Sequence, residues 1–444
     1  MANTKVFFWS IVVALGGFLF GFDTAVISGA EKSIQQLWQL TTFEHGFTVA
    51  IALIGTVLGA LFGGIPSDRF GRKTTLFLIA VLYLLSSLGT ALAPSWVIFL
   101  IFRFLGGIGV GVSSVTAPLY ISEIAPAKSR GKLVAMFQFN VVFGILVSYL
   151  SNYLFAGSGE QDWRWMLGIQ AVPSFIFLVT VLLVPESPRW LIIKKGRLEE
   201  AERTLKVANP EANTKQMVAD ILSSSQDAQG KQIKSSLFSK KYSTPITLAI
   251  LFAFFNQVSG INAIIYYAPR IFEMVGLGKS SALLSSAGIG LVNFLFTLLA
   301  LNFIDRFGRR TLMLIGSFGL IATLGLVAKA FYFKEFSGIA VPIYLFVYIA
   351  FFAFSQGAVI WVFISEIFPN QVRASGQALG SFTHWIMAAI IAFSFPYIAE
   401  TLGGGNTFLI FTGMMVLQLL FVWRVMPETK GTSLEQIEHN MVLH

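Results

Sequence analysis

Two sets of side chains in this sequence have types and spacings that could do chemistry, and both stand inside apolar runs. The first is a pair of opposite charges. Asp23 and Arg103 each lie far from the nearest charged residue in their own hydrophobic stretch. An ionised side chain in hydrocarbon costs a few kcal/mol or more, so each needs a partner, and the simplest pairing is with one another. Arginine favours the ionised carboxylate, desolvation favours the neutral one, and a helix rearrangement shifts their balance. The expected chemistry is reversible protonation of Asp23, tuned by Arg103. The plainer reading is a static ion pair locking two helices.

The second set is the stretch Phe254-Phe255-Asn256-Gln257-Val258-Ser259-Gly260-Ile261-Asn262-Ala263-Ile264-Ile265-Tyr266-Tyr267, with no charge between Lys241 and Arg270. A carboxamide in hydrocarbon costs several kcal/mol unless it finds a partner, so these amides must face protein or a wet cavity. On an ideal helix Gln257 and Asn262 point about 140° apart. Ser259-Gly260 between them predicts a loosened backbone that turns both amides toward one cavity. Amides that donate and accept, beside aromatic rings, suit an uncharged polyhydroxylated ligand. Helix–helix hydrogen bonding is the alternative for any single amide; the cluster with its internal glycine favours a binding site.

These residues must be positioned by membrane helices. The 444 residues are 55% hydrophobic and 12% charged, with a mean hydropathy of +0.74, a composition that soluble classes do not reach. The 40 glycines suit close helix packing in lipid, and the absence of cysteine excludes disulfides and thiolate metal sites. The net charge of +9 invites a nucleic-acid reading. The cations cluster in short loops, however, and membrane orientation explains them better, so no nucleic-acid partner is expected. The apolar run after Met1 to Trp9 lacks a small-residue cleavage site and reads as a retained first span.

Twelve spans are expected, at about 6–28, 47–66, 75–93, 97–119, 133–156, 165–185, 245–268, 282–303, 312–333, 341–363, 376–398 and 406–426. Loops bearing Arg69, Arg72 and Lys73, then Lys128, Arg130 and Lys132, then Arg306, Arg309 and Arg310 alternate with nearly neutral ones, where Glu31, Lys32 and Glu44 fall. The basic loops and both termini are therefore expected in the cytoplasm. The chain also repeats at an offset of about 240 residues. Asp68-Arg69-Phe70-Gly71-Arg72-Lys73 returns as Asp305-Arg306-Phe307-Gly308-Arg309-Arg310, Ser122-Glu123-Ile124-Ala125-Pro126 as Ser365-Glu366-Ile367-Phe368-Pro369, and Pro185-Glu186-Ser187 as Pro427-Glu428-Thr429. This predicts an all-α membrane protein of two parallel six-helix repeats, residues 1–188 and 245–426, with a small cytoplasmic helical linker at 189–244 and a tail at 427–444. A helix is expected over Arg197 to Val207, acidic at its start and basic near its end.

With these motifs in order, the chain resembles the sugar porters of the major facilitator superfamily, and among them the bacterial proton-coupled pentose and hexose symporters. The resemblance spans nearly the whole chain. It rests on Gly16-Gly17-Phe18-Leu19-Phe20-Gly21-Phe22-Asp23, both Asp-Arg-Phe-Gly-Arg motifs, Pro185 to Leu191, Gln257 to Tyr267, Ser365 to Pro369 and Pro427 to Gly431. It implies the major facilitator fold and alternating-access transport of a monosaccharide, with proton symport and Asp23 as the protonation site; facilitative uniport is the alternative, and a non-transporting sugar sensor a remote one. It implies sugar contacts at Gln138, Gln257, Asn262, Asn293 and Trp361, with Phe20 and Phe22 nearby and Tyr266 and Tyr267 in the outer gate region.

A cytoplasmic charge network is also implied, built from Asp68, Arg72, Glu123, Arg130, Glu186 and Arg189 in the first half and Asp305, Arg309, Glu366, Arg373 and Glu428 in the second. It would hold the inner face shut without touching sugar; topology signals and helix caps are its plainer reading. Four positions depart from the family pattern. Asn256 replaces a glutamine, Ala358 replaces a proline and leaves Gly357 as the expected flex point, and Gln170 replaces a glutamate found in some proton-coupled relatives. His384 stands where Asn or Gln is usual, and its titration would add pH dependence. Asn256 and His384 count among the expected sugar-binding residues. No cofactor, metal or enzymatic site is expected, and the remaining expectations are a monomer, lipid as partner and a bacterial inner membrane.

Overall fold

The computed structural model describes residues 4–126, 129–210, 212–230, 237–336, 338–369 and 372–430. Among them every regular element is a helix. A chain in hydrocarbon must satisfy its backbone hydrogen bonds within each segment or within a closed barrel, and the long apolar runs here take the helical solution. In order come α1 (Thr4–Leu37), α2 (Thr42–Phe62), α3 (Gly64–Phe70), α4 (Arg72–Ala91), α5 (Trp96–Ile124), α6 (Arg130–Phe155), α7 (Asp162–Gly168) and α8 (Ala171–Thr180). After α9 (Pro188–Trp190), α10 (Leu198–Ala208) and α11 (Thr214–Gly230) follow α12 (Ser243–Val258), α13 (Ile261–Met274), α14 (Lys279–Phe307), α15 (Arg309–Phe333), α16 (Ala340–Phe354), α17 (Gln356–Ile367) and α18 (Arg373–Arg424).

Eleven helical stretches among the described residues are long and apolar enough to cross a membrane. The last accounts for two crossings. α18 has 52 residues and is broken at Gly403, whose φ of 79° and ψ of 159° are not helical. A straight helix of that length would run about 78 Å, over twice the ~30 Å hydrocarbon core. Twelve spans result. Both copies of the Asp-Arg-Phe-Gly-Arg motif turn the chain at their glycine: Gly71 separates α3 from α4, and Gly308 separates α14 from α15.

The chain forms two compact units. One comprises Met1–Asp23, Gly55–Ile145 and Leu167–Lys234; the other comprises Thr24–Ile54, Leu146–Met166 and Ser235–His444. In the first, α4 packs on α5 and α8. Its polar end carries a small core in which Trp190, Leu191 and Ile192 meet Ala201 and Leu205 of α10 and Val218 of α11. The helix expected over Arg197 to Val207 is therefore α10, starting at Leu198. In the second unit α18 packs along α12 and α15, and α16 fits against α14 and α15.

Two sequence expectations need correction. The first span was placed at 6–28 with Glu31 and Lys32 in a loop, but α1 continues to Leu37 and buries Glu31 to 2% exposure. Arg270 of α13 is the reason, because its guanidinium bonds the Glu31 carboxylate and lets the helix carry that charge inward. The flex point of the tenth span is Ser355 (φ −114°, ψ −90°) and not Gly357, which sits inside α17. At Ser355 the hydroxyl bonds back to the Phe351 carbonyl, competing with the backbone ladder.

Candidate functional site

In the first unit α1 and α5 bring Asp23 and Arg103 together. Arg103 Nη1 donates to Asp23 Oδ1 at 2.9 Å, and both residues are no more than 3% exposed. The pairing expected from two isolated intramembrane charges is therefore made. The arginine Nε has no hydrogen-bond partner, so the guanidinium is not fully satisfied in this arrangement. Such a pair is poised: breaking it leaves two uncompensated charges unless the carboxylate takes a proton. Gln170, also buried, has an unpartnered amide nitrogen. Phe22 of α1 is buried, while Phe20 and Gln138 of α6 are partly accessible.

In the second unit the seventh span is broken. α12 stops at Val258, and Gly260 takes a left-handed conformation (φ 86°) before α13 begins. A β-carbon there would also lie 2.6 Å from the Phe411 ring, so conformation and space both require glycine. The freed backbone finds partners. Tyr348 donates to the Ser259 carbonyl at 2.9 Å, and Tyr149 donates to the Ile265 carbonyl at 2.6 Å.

Across the break the amides bond one another. Asn262 Nδ2 donates to Gln257 Oε1 at 2.5 Å, and Gln257 Nε2 donates to Asn256 Oδ1 at 2.9 Å. The two ring nitrogens of His384, from α18, stand 3.2 and 3.3 Å from that same Gln257 nitrogen. Asn256 in turn donates to the Gln356 carbonyl at 3.3 Å. Trp361 closes the group, its ring 4.9 Å from the imidazole and its surface 38% exposed. Four hydrogen-bonding side chains and one accessible indole face thus converge from α12, α13, α17 and α18. Gln257 spends its donors on neighbours, which leaves hydrogen-bonding capacity on Asn262 and His384 and an apolar face on the indole. Asn293 of α14 is buried at 9% exposure.

A buried polar chain escapes the sequence reading. Gln356 donates to Gln418 Oε1 at 2.7 Å, and Gln418 donates to Ser317 Oγ at 2.8 Å, all three fully buried. Its signal was available, since Gln356 and Gln418 are amides in apolar runs, but neither has a cluster around it in sequence.

The duplicated motifs build one cluster in each unit, with the same parts. Arg72 holds Glu123 through two hydrogen bonds of 3.0 and 3.1 Å and reaches Asp68 at 3.0 Å. Glu186 accepts the backbone N–H groups of Arg72, Lys73 and Ser187, and Ser187 donates to Glu123. In the second copy Arg309 holds Glu366 at 3.1 and 2.7 Å. Glu428 accepts the backbone N–H groups of Arg309 and Arg310, and Thr429 donates to Glu366. Burial pushes the Glu186 carboxyl above its ordinary range, against the pull of those N–H donors and of Arg72. Arg130 and Arg189 are exposed, Arg373 donates to the Phe368 carbonyl, and the Asp305 side chain lies outside the described residues.

Comparison with known proteins agrees with this architecture. The family described as sugar (and other) transporter matches residues 9–441. The D-xylose-proton symporter of Escherichia coli (strain K12) is 36% identical over 474 residues, covering 98% of this chain and 96% of that protein. The arabinose-proton symporter of Bacillus subtilis (strain 168) is 38% identical, covering 97% and 93%. Among solved structures, the inward open conformation of the E. coli xylose transporter superposes with a TM-score of 0.87 at 35% identity, covering 98% of this chain and 99% of that one. A broken, amide-bearing seventh span, a buried carboxylate–guanidinium pair and full-length similarity converge: the chain belongs to the sugar (and other) transporter family and is an integral membrane transporter.

Proposed function

We propose that this protein carries a monosaccharide, a pentose or a hexose, across a bacterial inner membrane together with a proton, by alternating access. The observation that carries the reading is the 2.9 Å pair between Asp23 and Arg103, buried within apolar helices. A facilitator of neutral solutes has no need of a titratable carboxylate at that depth. In this reading Asp23 takes the proton and Arg103 sets how readily it does so. Asn256, Gln257, Asn262, Trp361 and His384 serve the sugar, and Gln138, Asn293, Phe20 and Phe22 are assigned to it by family resemblance.

The two repeats at 1–188 and 245–426, the linker at 189–244 and the tail at 427–444 follow from the duplicated motifs, with both termini in the cytoplasm and a single chain as the transport unit in the bilayer. The duplicated charge clusters govern conformational balance, and the sugar leaves chemically unchanged. An inside-negative potential supplies about 2.3 kcal/mol per charge per 100 mV, enough for one proton to concentrate a neutral sugar about 50-fold.

The test is proton movement. Adding sugar to de-energised cells or proteoliposomes should alkalinise the outer medium, and a pentose and hexose panel should identify the substrate by competition. Sugar entry with no proton movement would establish uniport instead.

A further inference from the structure

The second unit holds a buried charge cluster that belongs neither to the amide group nor to the duplicated motifs. Arg270 of α13 bonds Glu31 of α1 through two parallel contacts, Nε to Oε1 at 2.9 Å and Nη2 to Oε2 at 2.7 Å, and reaches Gln35 Oε1 at 2.6 Å. Glu31 is 2% exposed. His45 of α2, with no exposure at all, places Nε2 2.8 Å from Glu31 Oε2, yet outside hydrogen-bond geometry, so neither ring nitrogen has a hydrogen bond. Beside the cluster, Lys32 pairs with Glu273, and both line an open cleft of about 520 Å³ with Ser28, Gln36 and Leu277.

We propose that Glu31 and Arg270 form an outer lock that holds the outer ends of α1 and α13 together. The proposal rests on the topology given above, in which these helix ends face the outside. A fork-to-fork arginine–carboxylate pair is strong and geometrically specific, and breaking it inside protein leaves a charge without compensation. The lock therefore opens only where water enters.

The chain has no cysteine, so nitroxide labels on cysteines introduced at Gln36 and Leu277, on either side of the cleft, report the α1–α13 separation by pulsed electron resonance. The expected result is a short, narrow distance at about pH 7.5 that gains a longer population in Glu31→Gln and in Arg270→Gln. The double exchange Glu31→Arg with Arg270→Glu should restore the short one. Distances indifferent to both single substitutions, or unrestored by the exchange, overturn the lock. Because the probe needs no sugar, failure of the transport reading would show separately as absent sugar–proton flux.

Discussion

Two stretches about 240 residues apart, Gly21-Phe22-Asp23 and Gly260-Ile261-Asn262, fall at matching places in the two repeats and do different things. In the first, the helix is unbroken: Gly21 is helical, and a β-carbon there would lie 1.8 Å from the Val141 carbonyl oxygen of α6. The following acid meets an arginine. In the second, the glycine breaks the helix, and the residue two places on is a neutral amide that bonds another amide. A duplicated motif has thus diverged, with a carboxylate–guanidinium pair on one side and linked amides on the other. Under the proposed function the division is physically sensible, since a charge kept in a sugar site would bind water in competition with the ligand, and an amide cannot carry a proton.

The comparison breaks most directly at Asp23. Asp23→Asn should abolish concentrative uptake, a loss of about 50-fold in accumulation at 100 mV, while sugar counterflow in proteoliposomes persists. An asparagine protein that still accumulates sugar would end the assignment of the first stretch to the proton. Gln257→Ala comes next. It unpairs Asn262 and Asn256 together, and each buried polar group left alone costs about 1–3 kcal/mol. Sugar affinity should therefore fall by about tenfold or more in equilibrium binding, with a changed ranking among sugars. Normal binding would return the amides to a purely structural role. Gly260→Ala should have a smaller effect, several-fold on binding, because the left-handed backbone resists a side chain while the Phe411 ring can give way. Tighter binding would mean that the break is incidental.

Much of this was legible in the sequence because hydrocarbon penalises polar groups so heavily. The sequence expects Asp23 and Arg103 to pair and Ser259-Gly260 between amides to loosen a helix, and the structure has both the pair and the break. What stayed hidden depended on partners distant in sequence. Glu31 reads as a loop residue until Arg270, over two hundred positions later, is placed against it. Gln356 and Gln418 look like isolated amides until α17 and α18 bring them together. The flex at Ser355 was misplaced by two residues because glycine is the usual suspect, whereas a serine bonding its own backbone did the work here. His384 was flagged as a departure, but the sequence could not say that its ring would sit against the Gln257 amide.

The smallest expected effect concerns what the repeats share. The clusters around Arg72 and Arg309 are built alike, so their substitution should alter stability and conformational balance without reordering the sugars. Glu186→Gln and Glu428→Gln are both expected to leave the ranking of pentoses and hexoses intact, in contrast to Gln257→Ala. Glu186 adds a pH signature. Burial raises its carboxyl in the folded protein, so the folded state holds that proton more tightly than the unfolded chain does. Its stabilisation is complete in acid, below the unfolded carboxyl range, and is lost as pH rises through the raised folded value. Glutamine, neutral throughout, has no such slope. Thermal melts of the purified protein should therefore show the native chain losing stability relative to Glu186→Gln as pH rises from about 4 to about 7. The opposite slope would mean that the three backbone N–H donors outweigh burial, and that the cluster is held by an ionised carboxylate in the first repeat.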